Sequence, residues 1–307
     1  MRLFIDGVDL RSPSGPNSFA RKLFDSLVDQ GHSVTFNIDP SFWAPEVRLT
    51  FIQGSEVSIP TALRLDGIYF NTRQNWQEMN VGIRRSYDRA DMIIHQTDFD
   101  KRLIEHYFGA HPRSVVIRNG ADTRKTMDAI PLKHPALDGY TQTWVCASSW
   151  RPHKRLNENI RYFRENAGEN DCLVVAGKVD TVAETLQGLD MSRVFLAGDL
   201  NQDQLLSLYK RSTHLIHLAW LDHCPNVVVD ARAAGCRIVC SSSGGTEEIA
   251  GTDAIVIEED VWDLSPLDLY RPPRLDFSRR RSGKFDHLND MRDVAQKYAV
   301  NLGDLLR

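Results

Sequence analysis

No run in this 307-residue sequence approaches the roughly 18 apolar residues that a membrane-crossing helix needs. The opening MRLFIDGVDL holds one apolar stretch too short for the core of a secretory leader. The expectation is a cytoplasmic chain, at most peripheral at a membrane surface. Cysteine is sparse: Cys146, Cys172, Cys224, Cys236 and Cys240 are odd in number, sit mostly inside apolar runs and form no CxxC pair. That pattern speaks against a zinc site and for reduced thiols. A basic half is missing as well. Residues 1–138 hold 17 Lys/Arg against 17 Asp/Glu, so the whole net charge of -4 falls beyond them. A nucleic-acid binder of the usual kind would show a clearly basic half. No repeat of solenoid period and no low-complexity tract occurs.

What is present is an ordinary globular composition, 42% hydrophobic and 25% charged, on a chain about twice the usual domain length, so two domains are expected. Short β-branched runs alternate with stretches of helical period. RLFIDG precedes NSFARKLFDSLVDQGH, and SVTFNI, VRLTFI, ALRLDGIYF, ADMIIHQ and SVVIRNGAD follow. Such alternation specifies βαβ units on a mostly parallel sheet. The first helix, about Asn17 to Gln30, carries Phe19, Leu23 and Leu27 at spacing four, with Gly31 at the C′ position. A polar, proline-containing stretch, TRKTMDAIPLKHPALDGYTQ, interrupts the alternation and is the linker candidate. A second alternating set runs from TWVCASS to AIVIE. Residues 262–285 show no clear period, and their Arg279-Arg280-Arg281 run is expected as solvated loop. The closing stretch regains helical spacing through Leu288, Met291, Ala295, Tyr298 and Leu302.

The segment LDHCPNVVVDARAAGCRIVCSSSGGTEE, residues 221–248, carries Asp222 and Asp230 eight positions apart. The strand run THLIHLAW precedes it. Pro225, then Val228, Ala231 and Ala234, then Gly235, spell a helix with proline at N1 and glycine at C′. Residues 221–224 are thus a strand-to-helix loop at a carboxyl sheet edge, where α/β proteins bind ligands. The N–H groups of Asn226, Val227 and Val228 would face an anion there, and two carboxylates beside it suit sugar hydroxyls. Alternatively Asp222 caps the helix or loop and Asp230 is a solvated helix residue.

The Asp222-x7-Asp230 pattern, with CPN inside it and AGCRIVCSSSGGTEE after it, resembles the E-x7-E region of retaining GT-B glycosyltransferases of glycosyltransferase family 4, the glycosyl transferases group 1. The resemblance extends to PSGPNSFARKL as the glycine loop, ADMIIHQTDFDKRLI, VVIRNGAD and the basic donor motif CASSWRPHKRL, in the family's order. It implies an α/β fold of GT-B type: two Rossmann-like domains facing across a cleft, with residues 1–138 the acceptor domain, 139–285 the nucleotide-sugar donor domain, and 286–307 a helix returning to the first. It also implies transfer of a sugar from a nucleotide diphosphate sugar, UDP- or GDP-linked, to an acceptor hydroxyl, with no cofactor and no metal. Lys154 and then Arg151 would neutralise the diphosphate, Asp230 would hold the ribose hydroxyls, and Asp222 would contact the transferred sugar near its reacting carbon. Cys224, Pro225, Asn226 and Val227 would complete the donor loop, and Gly15 and Asn17 would bring the first helix start to the donor. Both family glutamates are aspartates here, and Ser149 stands where the family has an arginine.

Asp66-Gly67 occupies the place of a sugar-facing histidine in many relatives. Asp66 either polarises the acceptor or contacts donor hydroxyls, or it is a turn Asp-Gly. His153 is expected only as a neighbour of Lys154, and His95 and His217 as core or rim residues. DFD at 98–100 mimics a metal-binding triplet, but Thr97 with Asp100 three residues on fits a helix cap better. Arg84, Arg85 and Arg89 fit a solvated helix face or a lipid headgroup contact. The acceptor is left open between a glycan, a lipid-linked sugar and a small molecule, with a modified DNA base less favoured. Rival readings are a sugar-nucleotide 2-epimerase of the same fold and a non-catalytic nucleotide-sugar binder.

Overall fold

A computed structural model describes residues 1–9, 11–12, 14–36, 44–286 and 288–307. Residues 37 and 38 of the expected strand SVTFNI, Pro13 of the expected glycine loop and His287 of the closing segment lie outside the described residues. The chain divides into two compact units. Unit 1 comprises Met1–Asp122, Leu264–Pro266 and Asn289–Arg307, and unit 2 comprises Thr123–Asp263 and Leu267–Leu288.

Unit 1 runs β1 (Arg2–Asp6), α1 (Gly15–Asp29), β2 (Ser33–Phe36), β3 (Val47–Phe51), β4 (Thr61–Leu65), α2 (Trp76–Arg89), β5 (Met92–His95), α3 (Asp98–Phe108) and β6 (Ser114–Val116). Its six strands are all parallel, in the order β2-β1-β3-β4-β5-β6. β3, β4 and β5 are buried along their whole length, as strands covered on both faces must be, and their apolar runs follow from that. α1 starts two residues earlier than its period suggests, because Pro16 with its fixed φ suits the first turn. It ends where Gly31 takes a φ of 82°.

Unit 2 runs α4 (Thr123–Asp128), β7 (Gln142–Ala147), α5 (Leu156–Asn166), β8 (Asp171–Ala176), β9 (Val194–Gly198), α6 (Gln202–Arg211), β10 (His214–His217), α7 (Asn226–Ala233), β11 (Arg237–Ser241), α8 (Glu247–Ala250), β12 (Ile255–Ile257) and β13 (Arg280–Ser282). The sheet order is β13-β12-β11-β10-β7-β8-β9, parallel except for β13. The linker candidate contains α4 and a short 3-10 turn at Pro135–Leu137.

Two expectations need correction. The arginine run is not a loop throughout: Arg280–Ser282 forms the antiparallel edge strand β13, while Arg279 and Arg280 are solvent-exposed as expected. Arg281 is held by Glu247 at 2.5 Å and Glu258 at 2.9 Å. Hydrophobic period missed this strand because its partners are carboxylates. The closing helix α9 (Met291–Gly303) begins three residues later than expected, capped by Asp290, whose carboxylate accepts the Arg292 N–H at 2.7 Å. Leu288 stays 44% exposed. α9 belongs to unit 1, where Val294, Tyr298 and Leu302 share one core with Phe19, Leu23 and Leu27 of α1. The Phe19 and Tyr298 rings lie 5.9 Å apart. Each such buried side chain stabilises the unit by about 1.5–3 kcal/mol.

All five cysteines are buried free thiols. No described helix is long and apolar enough to cross a membrane.

Candidate active site

β10 pairs with β7 in unit 2, His214 opposite Trp144. Their carboxyl ends, and so the loops leaving them, become neighbours although 68 residues separate Lys154 from Asp222. Asn159 on α5 ties these loops together. Its amide donates to the Lys154 carbonyl at 3.1 Å and the Arg155 carbonyl at 2.6 Å, while its oxygen accepts the Leu218 N–H at 3.3 Å. The Trp220 N–H adds a bond to the His153 carbonyl at 2.7 Å.

The result is a three-residue cluster. Lys154 Nζ donates to Asp222 Oδ2 at 2.5 Å, and His217 Nε2 lies 2.9 Å from the same oxygen. A carboxylate only accepts, so His217 donates from Nε2. The other oxygen, Oδ1, accepts the His223 N–H at 3.0 Å. Burial by itself would raise the Asp222 carboxyl; the Lys154 charge and the His217 hydrogen bond outweigh it and hold the group well below the usual carboxylate range. Asp222 is therefore an anion at neutral pH, and Lys154 already has a partner. His153 is buried beside them, and burial together with the Lys154 charge pushes it down to about 3, so it is neutral.

The loop carrying Asp222 is held from below. Leu221 takes a φ of 56° and its N–H donates to Ser243 Oγ at 3.4 Å; Asp222 bridges Gly244, and the Gly245 N–H donates to the Asp222 carbonyl at 2.7 Å. Gly244 has a φ of 81°, and a Cβ there would overlap the Asp222 carbonyl oxygen, so glycine is required. Ser243 Oγ donates to Glu259 at 2.8 Å, and Glu259 receives Arg155 through both guanidinium nitrogens at 2.9 and 2.6 Å. Arg155 is 1% exposed and sits in the left-handed region, a strained conformation for a long side chain that the bidentate pair offsets.

The helix start differs in detail from the expectation. Pro225 is the N-cap rather than the first helical residue, with α7 opening at Asn226. The Val228 N–H bonds the Pro225 carbonyl at 3.1 Å and is not available to an anion. Cys224 is buried just ahead of α7, and Asp230 is half-buried in its second turn. Arg151 is exposed at the head of the 3-10 turn that carries Lys154.

The remaining expected residues lie in unit 1. Gly15 opens α1, and Asn17 Oδ1 accepts the Asp9 N–H at 3.0 Å, tying the loop after β1 to the helix. Asp66 follows β4 and forms an ion pair with Arg64, a fully buried guanidinium 4.0 Å from the Phe19 ring centroid that also donates to Asn119 at 2.9 Å. Gly67 takes a φ of 104°, but residues 66–70 form neither a turn nor a bend. In DFD, Thr97 caps α3 by accepting the Asp100 N–H at 3.1 Å, and Asp98 pairs with Arg118. Among the described residues no three His, Cys, Asp or Glu side chains gather as metal ligands would. Arg84 and Arg89 pair with Asp88 and Glu56, and Arg85 is exposed.

Sequence reading missed His217, Arg155, Glu259 and Ser243. Only the SSSGG run beside a strand end hinted at the last. A histidine inside the apolar run HLIHLAW carries no local sign that a carboxylate five residues on will reach it.

Residues 136–264 match the family model for glycosyl transferases group 1. The chain carries that domain and is accordingly a transferase enzyme. No curated protein matches it by sequence. Solved structures with the same architecture include HepE of Anabaena in complex with UDP and glucose, at TM-score 0.67 and 14% identity, covering 99% of this chain and 100% of that one. WaaG, a glycosyltransferase involved in lipopolysaccharide biosynthesis, aligns at TM-score 0.67 and 13% identity over 99% and 94%. Sucrose-phosphate synthase of Thermosynechococcus elongatus gives 0.65 and 11% over 100% and 92%. These likenesses establish the fold: two parallel-sheet α/β domains of the GT-B type.

Proposed function

We propose that this protein is a retaining, metal-independent glycosyltransferase of family 4 that moves a sugar from a UDP- or GDP-sugar to an acceptor hydroxyl. The observation that carries the reading is the Lys154–Asp222–His217 cluster at the carboxyl edge of the unit 2 sheet, next to the start of α7. In this reading residues 139–285 bind the donor, 1–138 the acceptor, and 286–307 complete the first domain. Asp222, held anionic by Lys154 and oriented by His217, accepts from hydroxyls of the transferred sugar. Asp230 accepts from the ribose. The diphosphate draws on the N–H groups of Asn226 and Val227, the α7 dipole, Arg151 and the Lys154 ammonium, whose charge is shared between Asp222 and the phosphate. Leaving-group charge then develops against fixed positive groups, and the departing phosphate oxygen takes the acceptor proton.

The binding of UDP and of glucose in the HepE structures supports such a donor. The test is a thermal-shift screen of nucleoside diphosphates, in which the right base at 100 times its dissociation constant stabilises by about 2.7 kcal/mol. NMR of the product then reads the anomer. An inverted anomer, or no shift with any base, overturns the reading.

A further inference from the structure

At the opposite, amino-terminal edge of the unit 2 sheet lies a cavity of about 500 Å³. The first residues of β7, β8, β10 and β11, namely Gln142, Asp171, His214 and Arg237, line it, and Arg280 reaches it from β13. Successive residues of a strand face opposite sides. Arg281 therefore meets Glu247 and Glu258, while Arg280 enters the cavity side and donates to Asn166 Oδ1 at 3.1 Å.

Most arginines of unit 2 face a carboxylate: Arg155, Arg161, Arg164, Arg211, Arg232, Arg271, Arg279 and Arg281. Arg237 and Arg280, like Arg124, Arg151, Arg193 and Arg274, form no ion pair among the described residues, and only these two line the cavity. Among the described residues they donate to neutral oxygens only, Arg237 to the Asp253 carbonyl at 2.8 Å. The one carboxylate of the lining, Asp171, accepts at Oδ2 from Gly168 N–H at 2.8 Å and Trp144 Nε1 at 3.3 Å and forms no ion pair with either arginine. Both arginine charges reach the Tyr162 hydroxyl, which burial raises and they lower. Trp144 and His214 add a stacked pair of flat rings, 3.9 Å apart and within 11° of parallel.

We propose that this cavity is a second ligand site, distinct from the Asp222 cluster, that takes a small soluble molecule bearing a phosphate monoester and a flat ring. Two guanidinium groups that form no ion pair, outnumbering the single Asp171 carboxylate of the lining, match a phosphate. The stacked rings offer a surface for a planar group, and the volume is that of a small-molecule pocket. Nothing in this assignment depends on the donor reading.

Phenyl phosphate and inorganic phosphate are the probes, titrated calorimetrically into the full-length protein and into Arg237→Ala, Arg280→Ala and Lys154→Ala. Expected is saturable one-to-one binding of phenyl phosphate, tighter than that of inorganic phosphate. Each arginine change weakens it about tenfold, and Lys154→Ala leaves it intact. Both arginines are exposed, so the variants should fold; Arg237→Lys and Arg280→Lys, which lose the planar fork, are expected to weaken binding as well. The proposal is overturned by absence of saturable binding, by binding that the arginine changes do not touch, or by binding that Lys154→Ala abolishes. Equal affinity for both probes would refute the ring requirement. Displacement of phenyl phosphate by phosphatidic acid vesicles would refute a soluble ligand.

Discussion

Asp66 and Asp222 stand at comparable places, each just beyond a parallel strand and each next to a cation, yet their settings differ. Asp66 is paired with Arg64, a fully buried guanidinium packed on Phe19 and Phe51 and bonded to Asn119. Asp222 is paired with Lys154 and His217 and keeps 14% of its side chain exposed. The first arrangement is bound up with the packing around α1. In the second, the cation is a partly exposed lysine ammonium, which under the proposed function shares its charge with the donor phosphate. The lesson is that an acid at a strand end is not informative by itself; the burial of its cation, 0% exposed for Arg64 and 19% for Lys154, is what distinguishes the two pairs.

The largest effect is expected from Arg64→Ala, which leaves Asp66 without its cation and removes the packing on Phe19 and Phe51. Urea unfolding should show a loss of about 3–5 kcal/mol. A loss under 1 kcal/mol would dissolve the contrast between the two acids. Asp222→Asn should act on turnover instead. With the donor known, kcat/KM is expected to fall about a hundredfold, equivalent to about 2.7 kcal/mol, with a smaller stability change than Arg64→Ala. Unchanged turnover would return Asp222 to a structural role.

The glycines beside the two acids offer a finer comparison. Gly244→Ala meets both a positive φ and the Asp222 carbonyl, and should cost about 1–3 kcal/mol in thermal unfolding. Gly67→Ala faces a positive φ and should cost about 1 kcal/mol. Equal losses would mean that the approach to Asp222 relaxes freely.

The smallest effect is a pH slope. In each unit burial pushes one histidine far down, His95 to about 4 in unit 1 and His153 to about 3 in unit 2, with His32 and His214 also lowered. In the unfolded chain they take up protons near pH 6.5, so stability declines as pH falls below that value and continues to decline toward 4 and 3. From pH 7 to pH 6 the loss is about 0.7 kcal/mol per histidine. Asp222 is shifted down as well, and because its unfolded value is near 4 its contribution is lost only as pH falls below about 4. Urea titrations at pH 7 and 6 of His95→Asn and His153→Asn should each lack one share of the slope; an unaltered slope would mean that the ring is solvated.

The alternation of strands and helices was legible because its signals are local. Gly31 follows α1, Thr97 caps α3, and LVV within β8 declares a strand buried on both faces. Asp222, Asp230 and Lys154 were legible through spacing and order. β13 was not, since an edge strand built of arginines shows no apolar period and its partners Glu247 and Glu258 lie 34 and 23 residues from Arg281. Nor was the Arg155–Glu259–Ser243 support under the Asp222 loop, which spans 104 residues.

By itself the sequence determined which segments are strands and helices and which strand ends carry acid, base or glycine, because hydrophobic period, capping and turn chemistry act within a few residues. Only the tertiary structure decided that Lys154, His217 and Asp222 meet at one oxygen, and that Arg280 turns away from the carboxylates holding Arg281. Both depend on strand order: β7 beside β10 joins the two loops, and β13 on the edge of β12 sorts alternate arginines to opposite faces. Sheet order is set by burial over the whole unit, a quantity that no local pattern contains.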